Sequence, residues 1–244
     1  MNRLKVYRYG INEDSFMITR KLLSIINLNS TVKLTESQFL ENKYIMKDNK
    51  KIFWKEPKSV KIEGSLKKNI NLLKNNTNIL GKNDFFIINS DILKIPVVKN
   101  PTKQLLAYYN CELIFENEIF KLKNNKNMYY FNMEIGINYL NGYLLRKDYG
   151  NGFYLETHDT PHFHTPVNDK SKGYIVIGKK INNKYELTAF RIPYKCGIYI
   201  PPNVPHCDGT LIGEYNVLYT ITNNYETNLL YNTNDKIVEI IFEE

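Results

Sequence analysis

The sequence of 244 residues predicts a mainly β protein, folded as a barrel or sandwich, with an α+β region at its N-terminus. From about Asp84 the chain breaks into short runs of β-branched and aromatic residues, separated by Asn, Gly, Lys and Pro. The runs recur without a helical pattern between them, which is typical of a sandwich or closed barrel rather than a parallel α/β sheet. We therefore expect residues 1–83 to form an α+β region that packs on a β-barrel of residues 84–244.

The N-terminal region shows helical patterns. Residues 14–28 carry apolar side chains at roughly helical spacing and predict an amphipathic helix. Thr35 and Gln38 resemble a capping box, which predicts a second, short helix, and residues 65–80 predict a third. Residues 43–62 between them are expected to be extended or loop. This region could be a degenerate first half of the barrel, a dimer arm or, in our preferred interpretation, a helical cover on the barrel mouth.

Several β-rich runs define the barrel region. They are FFII at 85–88, LLAYY at 105–109, CELIF at 111–115, MYYFNM at 128–133, YLNGYLL at 139–145 and GFYLET at 152–157. The clearest alternation lies in residues 215–222, where Tyr215, Val217 and Tyr219 face one way and Leu218 faces the other. This pattern predicts a strand in a barrel or sandwich.

The net charge of +8 raises the question of nucleic-acid binding. Residues 1–100 carry 19 lysines and arginines against 9 aspartates and glutamates, so the basic excess belongs to the N-terminal part. The chain has only 5 arginines, and its many Lys, Asn and Ile residues indicate an AT-rich coding sequence. Proteins that bind phosphates favour arginine, whose guanidinium group makes bidentate contacts, and basic stretches interleaved with aromatic residues. The position and type of the basic residues therefore argue against nucleic acid as a partner, although the net charge is positive.

Cysteine spacing and hydropathy bear on the compartment. Cys111, Cys196 and Cys207 are widely spaced and form no CxxC pair, so we interpret them as buried small apolar side chains in a reducing compartment. The N-terminus has no apolar core, and no stretch approaches about eighteen uninterrupted apolar residues. These features predict a cytoplasmic protein that neither carries a signal peptide nor inserts into a membrane.

The four histidines lie in two short windows, residues 156–166 and 197–209. On an extended strand His162 and His164 project to the same face, because side chains alternate with period two, and Phe163 then points the opposite way. Borderline metals such as Fe²⁺, Zn²⁺, Mn²⁺ and Ni²⁺ accept neutral imidazole nitrogen. Two ligands on one strand need only a third from a neighbouring strand, and His206 is the obvious candidate.

Both windows resemble the metal-binding motifs of the cupin family. The His162-Phe-His164 triplet followed by residues 173–178 is similar to the first cupin motif, and residues 201–206, PPNVPH, are similar to the second. Asn203 stands where cupins usually have a glycine, and Asn tolerates a left-handed turn. The resemblance covers roughly residues 105–222. It implies a cupin-type double-stranded β-helix, also called a jelly-roll barrel, that holds one divalent metal ion with the three histidines.

The fourth metal ligand departs from the cupin pattern. The first motif normally supplies a Glu a few residues after the HxH pair, whereas this sequence has TPVNDKSKGY there and places Ser171 in the Glu position. Three alternatives remain: Asp169 is a ligand, His158 or Glu156 replaces the Glu from the preceding strand, or water completes a three-histidine centre. We prefer the three-histidine centre.

The resemblance implies several functions. Tyr154, Tyr174 and Tyr219 are candidates for the wall of a pocket, with Tyr174 or Glu156 handling protons. The first hypothesis is a metal-dependent enzyme that acts on a small polar metabolite, with a dioxygenase and iron favoured over an isomerase or lyase with Zn, Mn or Ni. The alternative is a non-enzymatic module that binds a sugar or metabolite. Because cupins are frequently dimers, the resemblance also implies a homodimer.

Overall fold

The computed structural model describes residues 4–27, 30–43, 52–67 and 82–244. Strands hold 52% of the described residues and helices 6%, so the prediction of a mainly β fold is confirmed. Seven of the strands form a closed barrel. In the described part of the chain no helix is long and apolar enough to cross a membrane. Cys111, Cys196 and Cys207 are all buried and free, as predicted.

The described residues form twenty strands and two short helical segments. The first ten strands are β1 (Tyr7–Tyr9), β2 (Phe16–Ile26), β3 (Thr31–Leu34), β4 (Leu40–Lys43), β5 (Val60–Lys67), β6 (Lys82–Ile88), β7 (Ile92–Val98), β8 (Glu112–Phe115), β9 (Ile119–Lys121) and β10 (Met128–Ile135). The others are β11 (Tyr154–His158), β12 (His162–Pro166), β13 (Lys172–Gly173), β14 (Ile175–Ile181), β15 (Lys184–Phe190), β16 (Cys196–Ile200), β17 (His206–Cys207), β18 (Leu211–Tyr219), β19 (Tyr225–Asn232) and β20 (Glu239–Glu243). The helical segments are α1 (Lys103–Ala107) and one π-helical turn (Leu140–Leu144).

Two large sheets contain most of these strands. One has the order β1-β2-β10-β18-β12-β16-β8, with β13 beside β18. The other has the order β14-β17-β11-β19-β6-β5-β15-β7-β20, and its β14 also pairs with β15. That extra pairing closes β14, β17, β11, β19, β6, β5 and β15 into a ring of seven strands. A third, small sheet has the order β4-β3-β9.

Strands from the N-terminal part belong to both large sheets. Strand β2 pairs with β10, and β5 pairs with β15 and β6. Strand β6 itself runs from residue 82 to residue 88 and pairs in parallel with β19. Hydrogen bonding is therefore continuous across residues 83 and 84, where we placed the division between the two regions.

The predicted helix at residues 14–28 is wrong, because residues 16–26 form the long strand β2. The pairing of β2 with β10 shifts register twice, between Tyr130 and Phe131 and between Asn132 and Met133. Each shift adds an unpaired residue to β2, and the side chains beyond it change face. The period-two pattern is thereby broken, and the apolar residues of β2 fall at spacings that imitate a helix.

The second predicted helix is also wrong. Residues 35–38 form the turn between β3 and β4, where the Thr35 hydroxyl accepts a hydrogen bond from the Phe39 amide at 3.1 Å and Gln38 has φ 59°. The same polar side chains that cap helices also close turns. Of the third predicted helix, residues 65–67 belong to β5, and residues 68–80 lie outside the described residues.

Two runs predicted as strands are helical. Residues 103–107 form α1, because the Thr102 side chain caps it by accepting a hydrogen bond from the Leu105 amide at 3.3 Å. Residues 140–144 form the π-helical turn, which is closed by a hydrogen bond from the Leu145 amide to the Leu140 carbonyl oxygen at 2.9 Å. Short apolar runs do not distinguish strand from helix by periodicity, and here the local caps and tertiary contacts decide.

Apolar side chains form two core clusters, and the HxH strand lies between them. Phe163 packs in the smaller cluster with Phe120, and their rings stack at a centroid distance of 5.1 Å. Strand β18 has Val217 in the larger cluster and Leu218 in the smaller one, which confirms the predicted alternation. Both faces of this sheet are therefore buried, and the imidazoles of β12 project from the face opposite Phe163.

A buried carboxylate connects β15 to β5 and to the end of α1. Glu186 is 6% exposed, accepts a hydrogen bond from the Tyr108 hydroxyl at 2.5 Å and pairs with Lys61 at 3.0 Å. The hydrogen bond from Tyr108 and the charge of Lys61 outweigh burial and lower the pKa of Glu186. Its contribution to stability is therefore fully present above the unfolded pKa and is lost as the pH falls through the lower folded pKa.

We expect Glu186→Gln to lower the free energy of unfolding by about 1–3 kcal/mol at pH 7. The amide keeps the shape of the side chain but removes the charge. The difference between the two proteins should shrink as the pH falls toward 3, because wild-type Glu186 then takes up a proton. Urea denaturation at pH 7, 5 and 3 measures this, and a difference that does not change with pH would contradict the assignment.

Candidate metal centre

Three short segments each present two polar side chains that are separated by one residue. Because side chains on a strand alternate, both members of a pair lie on the same face. The pairs are Glu156 with His158 on β11, His162 with His164 on β12, and His206 with Asp208 at β17. Glu156 lies directly opposite His206 in the pairing of β11 with β17, whereas β12 belongs to the other large sheet. The segments therefore meet between the two sheets.

Four of these side chains form one buried group. The ligand atoms of Glu156, His158, His162 and His206 all lie within 4.8 Å of one another. The His206 Nε2 atom is 3.2 Å from His162 Nδ1 and 3.3 Å from Glu156 Oε1. Three imidazoles and one carboxylate in this arrangement could bind a single metal ion.

Backbone carbonyl groups orient two of the imidazoles. The Nδ1 atom of His158 lies 2.6 Å from the Thr160 carbonyl oxygen, and that of His206 lies 2.9 Å from the Val204 carbonyl oxygen. These distances assign a proton to Nδ1 in both rings, which leaves Nε2 as the unprotonated nitrogen of the neutral His158 ring. Among the described residues His158 Nε2 is buried and has no hydrogen-bond partner. Metal-binding histidines are oriented in this way, so these residues fit a metal ion.

The loop before His206 connects the two histidine windows. Asn203 has φ 65°, which confirms the predicted left-handed turn at this position. Its amide donates a hydrogen bond to the His158 carbonyl oxygen at 2.8 Å. The turn therefore fixes the start of β17 to the end of β11, and it places His206 opposite Glu156.

Burial controls the protonation of the group. It lowers the pKa of His158 to about 4 and holds the pKa of His162 well below its usual value, so both are neutral at pH 7. For His206 burial acts in the same direction, but the hydrogen bond and charge of Glu156 outweigh it and raise the pKa. The neutral imidazoles of His158 and His162 are therefore free to bind a metal ion, and the raised pKa of His206 means that a proton competes with the metal at that ring.

His164 belongs to a second, adjacent group. Its Nε2 atom lies 3.2 Å from Asp208 Oδ2, and the Tyr154 hydroxyl donates to Asp208 Oδ1 at 2.6 Å. Burial alone would raise the pKa of Asp208, but the hydrogen bonds from His164 and Tyr154 hold it far below its ordinary range. The ligand atoms of His162, His164 and Asp208 also lie within 4.8 Å of one another. His162 is thus shared by the two groups.

We compared the chain with protein-family models, with curated proteins and with solved structures. None of the three comparisons finds a match. A mostly β, closed seven-stranded barrel with a cluster of His and Glu that could bind metal is compatible with a cupin-like jelly roll. The likeness to cupins therefore rests on the two sequence motifs, the barrel and the cluster.

The structure brings together two of the three histidines that we expected as ligands. His162 and His206 are in contact, although their strands belong to different sheets and are not neighbours in one sheet as expected. The His164 ring lies 5.6 Å from that of His162, and its Nε2 atom faces Asp208 instead. His158, which we weighed as a replacement for the missing Glu, lies closer, at 4.2 Å between ring centroids.

Other candidate residues lie away from the cluster. Asp169 is exposed in the turn after β12. Ser171, in the position of the cupin Glu, donates a hydrogen bond to the Glu214 carbonyl oxygen at 2.6 Å. Tyr174 donates its hydroxyl to Glu244 and packs against Phe242 at 5.0 Å, because the segment after β12 turns away along β18. Within the described residues these three contribute to neither group.

Asp208 and Arg8 were not predicted as site residues. Both line a cavity of about 60 Å³, together with Glu156, His162 and the expected pocket residues Tyr154 and Tyr219. Asp208 could have been found, because it follows His206 at the same spacing that separates His162 from His164. Arg8 could not, because only the pairing of β1 with β2 and of β2 with β10 brings it to the cavity.

Proposed function

We propose that this protein is a metal-dependent enzyme that acts on a small polar metabolite. One divalent metal ion is held by Glu156, His158, His162 and His206. The observation that carries this proposal is the convergence of three imidazoles and a carboxylate, with the Nδ1 atoms of His158 and His206 fixed by backbone carbonyl groups. Nitrogen and oxygen donors suit Fe²⁺, Mn²⁺, Zn²⁺ and Ni²⁺.

The cavity residues have separate roles in this proposal. A bound metal ion supplies a Lewis acid that polarises a carbonyl or hydroxyl group, or lowers the pKa of bound water. Burial raises the pKa of Tyr154 well above its usual value, so its hydroxyl keeps the proton that it donates to Asp208. Asp208 thereby stays ionised at the cavity wall, and it orients His164. The small volume of the cavity, about 60 Å³, suits a substrate of a few heavy atoms.

Two ligand sets remain to be compared, and paired alanine variants distinguish them. If Glu156, His158, His162 and His206 hold the metal, His158→Ala should weaken Zn²⁺ binding more than about 100-fold, and His164→Ala about 10-fold or less. Competition with a chromophoric chelator measures both affinities. The reverse ranking would support the set expected from sequence, His162, His164 and His206.

Turnover distinguishes the enzyme from the alternative, a module that binds a metabolite without reaction. We propose to test oxygen consumption by the Fe²⁺ protein first, since a dioxygenase is the first hypothesis, and isomerase and lyase reactions of the Zn²⁺, Mn²⁺ and Ni²⁺ proteins second. Ligand binding without turnover in all four metal-loaded forms would contradict the enzyme hypothesis and support the binding module.

Assembly and partners stay predictions. We propose a small-molecule ligand, a homodimer and no role for nucleic acid. Sedimentation equilibrium measures the oligomeric state, and heparin retention that falls steeply with salt would contradict the last of these expectations.

A further inference from the structure

Arg8 places a guanidinium group at the cavity, and among the described residues no oxygen atom accepts a hydrogen bond from it. The residue is partly buried on β1, and its Nη1 atom lies 3.3 Å from the Met17 sulfur, a weak acceptor. Glu156 and Asp208 line the same cavity, yet in the described part of the chain neither forms an ion pair with Arg8. A guanidinium carries five N–H donors and stays protonated at any ordinary pH.

Two other arginines of the chain, Arg20 and Arg191, have oxygen partners. Arg20 forms an ion pair with Glu134 at 2.6 Å, and Arg191 donates to the Ser171 carbonyl oxygen at 2.9 Å. At the cavity, the carboxylates are engaged elsewhere, because Glu156 faces His206 and Asp208 faces His164 and Tyr154. A partly buried charge that has no oxygen acceptor within the protein is stabilised when a ligand supplies one.

The charges at the cavity depend on the metal. With a divalent ion bound and the imidazoles counted as neutral, Glu156 and Asp208 carry two negative charges, and Arg8 and the ion together carry three positive charges. The net charge at the cavity is then about +1. A monoanion restores neutrality, whereas a phosphate dianion overcompensates. The planar guanidinium fork also matches the two oxygens of a carboxylate.

We propose that Arg8 binds the carboxylate of a small monocarboxylic acid whose second oxygen function faces the metal ion. This inference rests on the proposed function and names its substrate class. The cavity volume of about 60 Å³ lies far below the several hundred Å³ of pockets for drug-sized ligands, so the acid has about two or three carbons. The N-terminal strand thereby completes a site whose metal ligands all come from the second half of the chain.

The test compares glycolate with its neutral analogue glycolamide on the Co²⁺-loaded protein, with affinity read from the visible spectrum of cobalt. Arg8→Gln should weaken glycolate binding at least about tenfold and leave glycolamide binding unchanged, since a hydrogen-bonded charge is lost. Arg8→Lys should recover part of the loss. Arg20→Gln, on the adjacent strand, is the matched control and should bind glycolate as the wild type does.

Each outcome has a separate meaning. Wild-type protein that takes up no cobalt overturns the proposed function and this inference together. Cobalt uptake with equal affinity for glycolate and glycolamide, or with glycolate affinity that Arg8→Gln leaves unchanged, overturns the role of Arg8 alone. Cobalt stoichiometry in each variant shows that the site has folded.

Discussion

His206→Ala is expected to weaken Zn²⁺ binding by about 100- to 1000-fold, because it removes the contribution of one ligand out of four to the binding free energy. His206 is 0% exposed and contacts both Glu156 and His162, so its removal opens the centre of the group. Wild-type protein in saturating Zn²⁺ should gain about 4 kcal/mol of stability at a thousand times its dissociation constant, and the variant should lose most of that gain. Chelator competition and thermal unfolding with and without zinc measure the two effects.

Cys207→Ala is the matched control for this variant. Cys207 is the next residue and equally buried, but it packs in the larger apolar cluster rather than in the metal group. Its replacement should leave zinc affinity unchanged within about threefold and cost some stability because a small cavity forms. An equal loss of zinc affinity in both variants would mean that damage to the local fold, and not removal of the imidazole, caused the loss.

Phe163→Ala should lower the free energy of unfolding by about 3–5 kcal/mol. Phe163 is 0% exposed, stacks on Phe120, and fills the space above Gly197, where an added Cβ would lie 2.1 Å from its ring. Alanine removes the whole buried ring and leaves a large void, so the cost should be at the upper end for a core residue. Urea denaturation of the metal-free protein measures it.

The same variant also separates the two faces of β12. Because Phe163 and the imidazoles point to opposite faces, the folded fraction of Phe163→Ala should still bind one zinc ion per chain. Phe163→Leu, which keeps most of the volume, should cost less than half as much. A cost below about 1 kcal/mol for alanine, or the loss of zinc from folded protein, would contradict the orientation assigned to β12.

Local patterns in the sequence predicted the mainly β fold, the face of His162 and His164, and the left-handed turn at Asn203. Each of these depends on the chain's own period or on one residue's backbone preference. Residues 14–28 failed because two bulges in β2 change the phase of its side chains, and a bulge depends on the partner strand β10. The sequence of β2 alone carries no signal of that partner.

The candidate site shows the same limit. Both histidine windows could be found, and Glu156 and His158 could be weighed as ligands, because they lie within those windows. The sequence could not predict which imidazoles face Glu156 and His206. That choice depends on the contact of His164 with Asp208 and on the hydrogen bond between His158 and the Thr160 carbonyl oxygen, which form only in the folded protein. Arg8 enters the cavity from a strand more than a hundred residues away in sequence, as the pairing of β2 with β10 shows.

X-ray absorption of the zinc-loaded protein identifies the atoms that bind the metal ion. We expect one zinc ion per chain with a first shell of nitrogen and oxygen at about 2.0–2.1 Å, and scattering from about three imidazole rings. A sulfur shell at about 2.3 Å would mean that Cys207 is a ligand and would contradict the arrangement. Zinc that fails to bind after removal of chelator would contradict the metal centre itself.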